Sequence, residues 1–256
     1  MIRSSFIFLE RIGQQLEEDL WRQGIRDWDS FLSAKSIKGL SGIRKAYYDR
    51  KVREARSALY NFNSTYFKSL LPQSEYWRLY DFFKEDAVFL DIETTGLGWH
   101  DDITMIGLYN GIDTKIMIKS INLDYKAIKQ ELEKYKLIVT FNGASFDLPF
   151  ISKRYPNILP NVPNFDVRVA ARKLGLVGGL KRIERDMGIK RQKIVEEFDG
   201  GDAVTLWRMY KATGDEYYLN LLVEYNEEDI INLKTIAEHC VSNLKKSTLP
   251  ALGSPP

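Results

Sequence analysis

The chain has 256 residues, of which 44% are apolar and 28% are charged, the balance of an ordinary globular protein. This length accommodates one large domain, or one medium domain together with a small one. No apolar run reaches the length of a membrane span, and the N-terminus lacks the pattern of a secretory leader, so we expect neither a membrane protein nor a secreted one. Cys240 is the single cysteine, which excludes an intramolecular disulfide, argues against a cysteine zinc cluster and favours the cytoplasm.

Positive charge is concentrated near the N-terminus, although the net formal charge of the whole chain is only +2. Residues 35–56 contain eight lysine and arginine residues, against Asp49 and Glu54. A basic segment that also contains tyrosines can follow the phosphates of a nucleic acid. It can equally be the solvated face of a helix, and composition alone leaves both interpretations open.

Residues 1–80 are predicted to be helical. Five apolar residues fall at helical spacing in the first part of this region: Leu9, Ile12, Leu16, Leu20 and Trp21. Asp27 is expected to cap a short helix that contains Trp28 and Phe31. A long amphipathic helix is predicted over residues 41–67, and a short helix over residues 75–83.

From Ala87 onward the sequence changes to short apolar strands that are later separated by helices. Residues 87–93 form an apolar run, and two alternating runs then flank Asn110-Gly111, a strong hairpin signal. Buried or extended strands are also predicted over residues 137–143 and 165–167, with helices between and after them. We therefore expect an α/β fold with a mixed sheet, antiparallel over its first three strands and then parallel, and with helices on both faces.

Three regions follow from this pattern. Residues 1–80 are expected to form a helical N-terminal region, residues 85–245 an α/β domain, and residues 246–256 a flexible tail.

Two carboxylates share one face of the first predicted strand. Side chains alternate along a strand, so Asp91 and Glu93 lie on the same side as Phe89. Two buried like charges repel each other and are penalised by desolvation, and a hard divalent cation relieves both costs. The alternative is that the strand ends at Asp91 and that both acids are solvated turn residues.

Further acids occur at two later positions. Asp147 follows a predicted buried strand, and the carboxyl ends of strands in open α/β sheets are where sites form. Tyr225 and Asp229 are four residues apart on the last predicted helix and therefore lie on one face. Taken singly, Asp147 can instead be a favourable charge at a helix N-terminus, and Asp229 part of an acidic helix face.

Together these residues resemble the three motifs of the DEDD superfamily of 3′–5′ exonucleases. The resemblance covers about residues 85–243. It is carried by Asp91-Ile92-Glu93-Thr94-Thr95-Gly96-Leu97, by Asn142-Gly143 with Phe146-Asp147, and by Tyr225 with Asp229. It implies an RNase H-like fold. Glu224 stands where the histidine subtype has its histidine, so the chain resembles the tyrosine subtype and is similar to the proofreading domains of family B polymerases.

The resemblance implies hydrolysis of nucleic-acid phosphodiester bonds by two divalent cations, Mg²⁺ or Mn²⁺, in the 3′–5′ direction. Single-stranded DNA is favoured over RNA as the partner, but both stay open, because recognition of the 2′-hydroxyl depends on the geometry of the pocket. By similarity, Asp91 bridges both ions and Glu93 binds one of them and helps to position the attacking water. Asp147 binds the second ion through water, and Asp229 completes the first site. Tyr225 is expected to orient the attacking water, because a phenol of ordinary pKa is a poor base near neutrality.

The residues after the first motif are candidate substrate contacts: Thr94, Thr95, Gly96 and Leu97. In the family this loop approaches the terminal nucleotide, and the equal alternative is a plain turn that uses Gly96 for its dihedral angles. Asn142 is expected either to reach the scissile nucleotide or to cap a turn, and Phe146 belongs to the same candidate set. Asp166, after a short strand, is interpreted as a supporting acid and not as a metal ligand.

Residues 9–25 show a fainter resemblance to a helix-hairpin-helix motif, which binds DNA phosphates. Leu9, Ile12 and Gly13 match its pattern, whereas Arg11 stands where the first hairpin glycine occurs. A structural helical cap is therefore the preferred interpretation of this segment. Two other functions on the same fold stay open at this point: a structure-specific endonuclease, and a nucleic-acid-binding module without catalysis.

Overall fold

A mixed sheet occupies the second half of the chain. The structure, a computed structural model, describes residues 1–98, 100–191 and 200–249. The strands are β1 (Ala87–Thr94), β2 (Ile103–Tyr109), β3 (Thr114–Ile118), β4 (Leu137–Thr140) and β5 (Asn164–Asp166). Their spatial order is β3-β2-β1-β4-β5, with β1–β2 and β2–β3 antiparallel and β1–β4 and β4–β5 parallel. The predicted mixed sheet is confirmed, and β1 lies at its centre.

Helices precede the sheet and cover both of its faces. In chain order they are α1 (Gln14–Arg22), α2 (Trp28–Ser33), α3 (Gly42–Tyr60), α4 (Ser64–Lys68), α5 (Tyr80–Phe83), α6 (Tyr125–Leu132), α7 (Asp147–Arg154), α8 (Val167–Lys173), α9 (Leu180–Asp186), α10 (Gly200–Thr213) and α11 (Glu216–Thr248). Short 3₁₀ helices occur at Ile2–Ser4, Gln73–Leu79 and Lys84–Asp86. Within the described ranges, every helix is too short or too polar to cross a lipid bilayer.

The predicted hairpin joins β2 and β3. Tyr109 pairs with Thr114, and the Asn110 side chain accepts hydrogen bonds from the backbone N–H groups of Ile112 and Asp113. Gly111 has a φ of 97°, a left-handed conformation that glycine adopts without steric cost. Asn110-Gly111 thus forms the predicted hairpin turn.

Alternation along β1 divides its side chains between two layers. Val88, Leu90 and Ile92 belong to a hydrophobic cluster that includes Ile128 of α6 and Phe150 of α7. Asp91 and Glu93 lie on the opposite face, where α11 packs against β1 and β2. Up to Ile92 the strand therefore has one apolar face, and its other face ends in carboxylates.

The N-terminal helical region and the sheet share one hydrophobic cluster. Phe89 and Phe165 of the sheet belong to it together with Ile236 of α11. Phe6 and Trp77 from the N-terminal region belong to the same cluster and are buried. Residues 1–80 thus complete one face of the sheet.

A buried ion pair fastens the start of the chain to the segment before β1. Glu17 of α1 is fully buried and accepts hydrogen bonds from the backbone N–H groups of Phe6 and Ile7 and from the hydroxyl of Ser5. Arg78 donates to Glu17 over 2.8 Å and is itself 3% exposed. Because a buried charge is costly unless it is paired, this network fixes the relative positions of these segments.

The helix predicted over residues 41–67 is interrupted, so that prediction was wrong. α3 ends at Tyr60, Phe62 adopts a φ of 53°, and Asn63 caps α4 by accepting a hydrogen bond from the N–H of Tyr66. Asparagine side chains compete for backbone groups and favour caps over helix interiors. By contrast, the expected cap at Asp27 is confirmed as a reciprocal capping box with Ser30.

The first predicted helix is shorter than its apolar spacing suggested. α1 begins at Gln14, so Leu9 and Ile12 are buried in turns ahead of it, and Leu16 is 46% exposed. The short helix predicted over residues 75–83 is the 3₁₀ helix Gln73–Leu79 followed directly by α5. At the other end, α11 continues to Thr248, and residues 250–256 of the predicted tail lie outside the described residues.

The basic N-terminal segment forms several local ion pairs. Lys45 pairs with Asp49 over 2.6 Å, and Lys51 and Arg50 both lie beside Glu54.

Arg11, which stands where the helix-hairpin-helix motif has its first hairpin glycine, has a φ of 64°. This is a left-handed conformation, which glycine adopts most easily.

Candidate metal centre

β1 presents Asp91 and Glu93 to α11 at a place where the helix lies close to the sheet. Asp91 is opposite Gly107 of β2, and Glu93 is opposite Met105. A Cβ built on Gly107 would lie 2.0 Å from Oδ1 of Asn226 on α11. The glycine therefore provides the space that the helix occupies.

α11 supplies the remaining side chains of the centre. Tyr225, Asn226 and Asp229 are buried, and the spacing of Tyr225 and Asp229 brings both onto one helical face. Nδ2 of Asn226 donates a hydrogen bond to Oδ2 of Asp91 over 2.9 Å. One helix thus positions an acid, a phenol and an amide against the central strand.

Three carboxylates converge at this point. Oxygen atoms of Asp91, Glu93 and Asp229 all lie within 4.8 Å of one another. Glu93 is 8% and Asp229 is 7% exposed, whereas Asp91 is only partly buried. Carboxylate oxygens at this spacing are the donor set of a hard divalent cation, so these residues fit a magnesium or manganese ion.

The electrostatics of the cluster agree with this fit. Burial, followed by repulsion from Asp147, raises the pKa of Asp91 well above its usual range. Burial and the neighbouring Asp229 do the same to the pKa of Glu93. Burial raises the pKa of Asp229 to about 6. A divalent cation would stabilise the ionised forms that the fold alone disfavours.

Asp147 lies close to this group but outside the set of three. It is the first residue of α7, and its Oδ1 accepts a hydrogen bond from the N–H of Ile92 over 3.2 Å. Burial raises the pKa of Asp147 to about 7, although hydrogen bonds from the backbone oppose the shift. The side chain therefore faces the strand between the two acids of β1.

Tyr225 lies beside the acids beneath two cations. The ammonium of Lys181 is 4.8 Å and the guanidinium of Arg191 is 5.7 Å from the centroid of its ring. Burial and the nearby carboxylates, Asp229 first among them, raise the pKa of its phenol far above the usual value. The hydroxyl is therefore a neutral hydrogen-bonding group at physiological pH, which favours orientation of a water over proton abstraction.

Arg191 contacts the centre directly. Its Nε and Nη2 donate to the two oxygens of Glu184 over 2.7 and 2.8 Å, and Nη2 also donates to Oδ1 of Asp229. The side chain is 4% exposed. Burial opposes its charge, but the hydrogen bonds to Glu184 and the charge of Asp229 outweigh burial and raise its pKa.

The loop after β1 is held by a carboxylate. The Thr95 hydroxyl donates to Asp101 over 2.9 Å, and a Cβ on Gly96 would lie 2.6 Å from Asp101 Oδ2. Gly96 thus leaves space for the Asp101 carboxylate and does not adopt a left-handed φ. The Thr94 hydroxyl donates to the carbonyl of Gly96, and Leu97 is 85% exposed at the tip of the loop.

Asn142 has the turn geometry of one of its two expected roles. Its φ is 64°, its N–H donates to Asp166 over 2.9 Å, and its side-chain oxygen accepts a hydrogen bond from Arg168. Asp166 also caps α8 and accepts a hydrogen bond from the N–H of Ala144. Asp166 therefore orders the turn that leads to Asp147, as a supporting acid would.

Phe146 is engaged in packing. It lies 5.6 Å, centroid to centroid, from Phe150 and packs against the hydrophobic cluster under the opposite face of the sheet.

Sequence reasoning missed Asn226 and Arg191. Asn226 adjoins Tyr225, and its partner Gly107 stands inside an apolar strand, a position that signals a close approach. Arg191 gave no local signal, because its contacts with Glu184 and Asp229 span seven and 38 positions of the chain.

The fold and this cluster define the class of protein. A model of the RNase H superfamily (RNase_H_2) matches residues 88–241, and the chain belongs to this superfamily. RNase H-like nucleases use divalent metals, and the set of Asp91, Glu93 and Asp229 is suited to binding one.

Particular proteins are similar to parts of the chain. The uncharacterized protein YprB of Bacillus subtilis (strain 168) is 27% identical over 177 residues. This match covers 61% of the chain but only 42% of YprB. A family B DNA polymerase from the archaeon Pyrobaculum calidifontis is similar in structure, with 16% identity and a TM-score of 0.49, over 62% of this chain and 25% of the polymerase. A likeness of that size carries no argument about function.

Proposed function

We propose that this protein is a 3′–5′ exonuclease of the DEDD superfamily, tyrosine subtype, that hydrolyses nucleic acid at two divalent cations. The observation that carries the proposal is the convergence of Asp91, Glu93 and Asp229 within 4.8 Å on the central strand and the last helix. Membership of the RNase H superfamily supports a nuclease. Tyr225, four residues before Asp229 and beside the acids, supports the tyrosine subtype.

The acids have separate roles in this proposal. Asp91, Glu93 and Asp229 would hold one cation, and Asp91 together with Asp147 would hold a second. Bound divalent cations supply a nucleophilic water at neutral pH and stabilise the leaving oxygen. Asn226 keeps a carboxylate oxygen of Asp91 in place, and the neutral phenol of Tyr225 orients the attacking water.

The substrate contacts remain part of the proposal. Leu97 is exposed at the tip of its loop, a position from which it would contact the terminal base of a single strand. Thr95 and Gly96 would set the position of that loop through Asp101, and Thr94 would do so through the carbonyl of Gly96. Asn142 would set the position of the opposite turn through Asp166. Phe146 would support this turn from below.

The test is cleavage of end-labelled single-stranded DNA, duplex DNA and RNA with Mg²⁺ or Mn²⁺, with a chelator as control. We expect a ladder that shortens from the 3′ end, with single-stranded DNA cut fastest. A few internal products at defined positions would identify a structure-specific endonuclease instead. Metal binding without cleavage of any substrate would contradict the proposal.

A further inference from the structure

Arg191 contacts one of the three carboxylates of the candidate metal centre. Its Nη2 donates to Oδ1 of Asp229, an oxygen that belongs to the group of three carboxylates. A guanidinium and a metal ion both stabilise a carboxylate by positive charge. A carboxylate oxygen that already accepts a hydrogen bond from a guanidinium is therefore a weaker ligand for a metal ion. Arg191 and a divalent cation would therefore compete for Asp229.

Glu184 would keep the guanidinium beside the centre if the contact with Asp229 were released. Its two oxygens accept a pair of parallel hydrogen bonds from Nε and Nη2, at 2.7 and 2.8 Å. Such a bidentate pair fixes the plane of the guanidinium as well as its position. A cation that displaces Arg191 from Asp229 would thus leave the arginine poised a short distance away.

The third nitrogen of the guanidinium is Nη1. Nη1 is buried, and among the described residues it has no hydrogen-bond partner. A buried donor without an acceptor costs about 1–3 kcal/mol, and more for a charged group. An anionic oxygen that arrives with a ligand removes this cost, and arginine is especially suited to the paired oxygens of phosphate.

We propose that Arg191 is a phosphate-binding residue of this site and that Glu184 holds it in place. Its guanidinium contacts Asp229 until a divalent cation displaces it, and it then binds a phosphate of the bound strand or product. This inference rests on the proposed nuclease function for the identity of the phosphate. In the metal-free protein, the arginine takes the place of the cation beside Asp229. In the metal-bound protein, it binds phosphate.

The test measures two affinities in Arg191→Gln. Titration calorimetry gives the affinity of the protein for Mn²⁺ alone and, in saturating Mn²⁺, for thymidine 5′-monophosphate, with thymidine as the uncharged comparison. We expect Mn²⁺ to bind roughly tenfold more tightly, because the competing cation is gone. We expect the monophosphate to bind roughly 10–100-fold more weakly, because a charge-assisted hydrogen bond is lost. The affinity for thymidine should be unchanged.

Two further variants separate this role from a structural one. Arg191→Lys keeps the charge but loses the fork, so Mn²⁺ affinity should stay near that of the wild type while monophosphate affinity falls. Arg182→Gln, an exposed arginine of α9 that pairs with Asp186, should change neither affinity. Melting temperatures of all variants establish that they are folded.

The two proposals fail in different ways. Weaker binding of both ligands to a folded Arg191→Gln, or no change in either, would overturn the role of Arg191. The expected opposite shifts in a protein that cleaves no nucleic acid would support the phosphate site and overturn the nuclease.

Discussion

Asp91, Glu93 and Asp229 repel one another in the folded protein, and Asn226 and Arg191 offset only part of this repulsion. A substitution that removes one negative charge should therefore reduce metal binding without harming the fold. This separation of activity from stability is the property that distinguishes a metal ligand from a structural acid.

Asp91→Asn should abolish metal-dependent cleavage. The loss of several kcal/mol of metal-assisted stabilisation corresponds to a rate lower by roughly 10³-fold. The melting temperature without metal should be unchanged or higher, because a buried charge is gone. Asp113→Asn, in the exposed hairpin, is the matched control for cleavage and melting. Undiminished cleavage by Asp91→Asn would exclude Asp91 as a ligand.

Tyr225→Phe should reduce turnover by roughly 10–100-fold, because a misplaced water reacts more slowly. Affinity for Mn²⁺ should be unchanged, since the hydroxyl is not a ligand in this proposal. Tyr217→Phe, on the exposed side of the same helix, should have no effect on either quantity. A loss of Mn²⁺ affinity in Tyr225→Phe would contradict an orienting role.

The stability of the metal-free protein should fall as pH rises from about 4 to about 7. The pKa values of Asp229 and Asp147 are raised in the folded chain to about 6 and about 7, so the folded state binds more protons than the unfolded state in this interval. Mg²⁺ favours the ionised forms and should raise the melting temperature more at pH 7 than at pH 5. Melting curves at both pH values check this, and Asp229→Asn should reduce the difference. An equal effect of Mg²⁺ at both pH values would contradict it.

Among single residues, those that could be predicted from the sequence are the ones whose residue type and spacing indicate a shared face of a strand or helix. Asp91 and Glu93 follow from strand alternation, and Tyr225 with Asp229 from helical spacing. Arg191 could not be predicted, because its role depends on contacts with Glu184 and Asp229 that only the folded chain creates. Of the two interpretations of Gly96, the one that rests on its dihedral angles was wrong, since its φ is not left-handed and the Asp101 carboxylate lies where a side chain would be.

Among the elements, the approach of α11 to β2 sets the geometry of the centre. The helix can lie over the strand because Gly107 has no side chain where Asn226 packs. The position of Asp229 relative to Asp91 therefore depends on a residue that has no functional group.

Gly107→Ala should lower Mn²⁺ affinity and destabilise the fold by about 1–3 kcal/mol, the usual cost of overpacking. The added methyl group would lie 2.0 Å from Asn226 Oδ1, so the side chain or the helix must move. Gly107→Ala combined with Asn226→Ala should recover most of the stability in urea unfolding but not the metal affinity. Gly42→Ala, where a Cβ has open space, serves as control. No recovery in the double variant would show that the strain arises elsewhere.

Element types were largely predictable, and their ends were not. The hairpin at Asn110-Gly111 and the cap at Asp27 rest on local chemistry that the sequence displays. The interruption at Asn61–Asn63 depends on a competition between helix continuation and capping that apolar periodicity does not report.

For the whole molecule, the pair of Glu17 and Arg78 ties the N-terminal region to the segment before the sheet. Arg78→Met should destabilise the protein by about 3–5 kcal/mol, because Glu17 is left as an uncompensated buried charge. Arg78→Met with Glu17→Gln should be less destabilised than the sum of the single variants. Urea unfolding measures all three, and Arg22→Met, in an exposed pair, is the control. Additive losses would mean that the two side chains do not act as a pair.

The shared hydrophobic cluster means that the segment that matches the superfamily is shorter than the segment that folds as one unit. The superfamily match begins at residue 88, yet Phe89 and Phe165 are covered in part by side chains from residues 1–80. A fragment cut at the start of the match would expose a wide apolar face and tend to aggregate. Charge changes on the surface of the intact chain are therefore the sound way to ask whether the N-terminal helices contact nucleic acid, since excision of residues 1–80 would also uncover one face of the sheet.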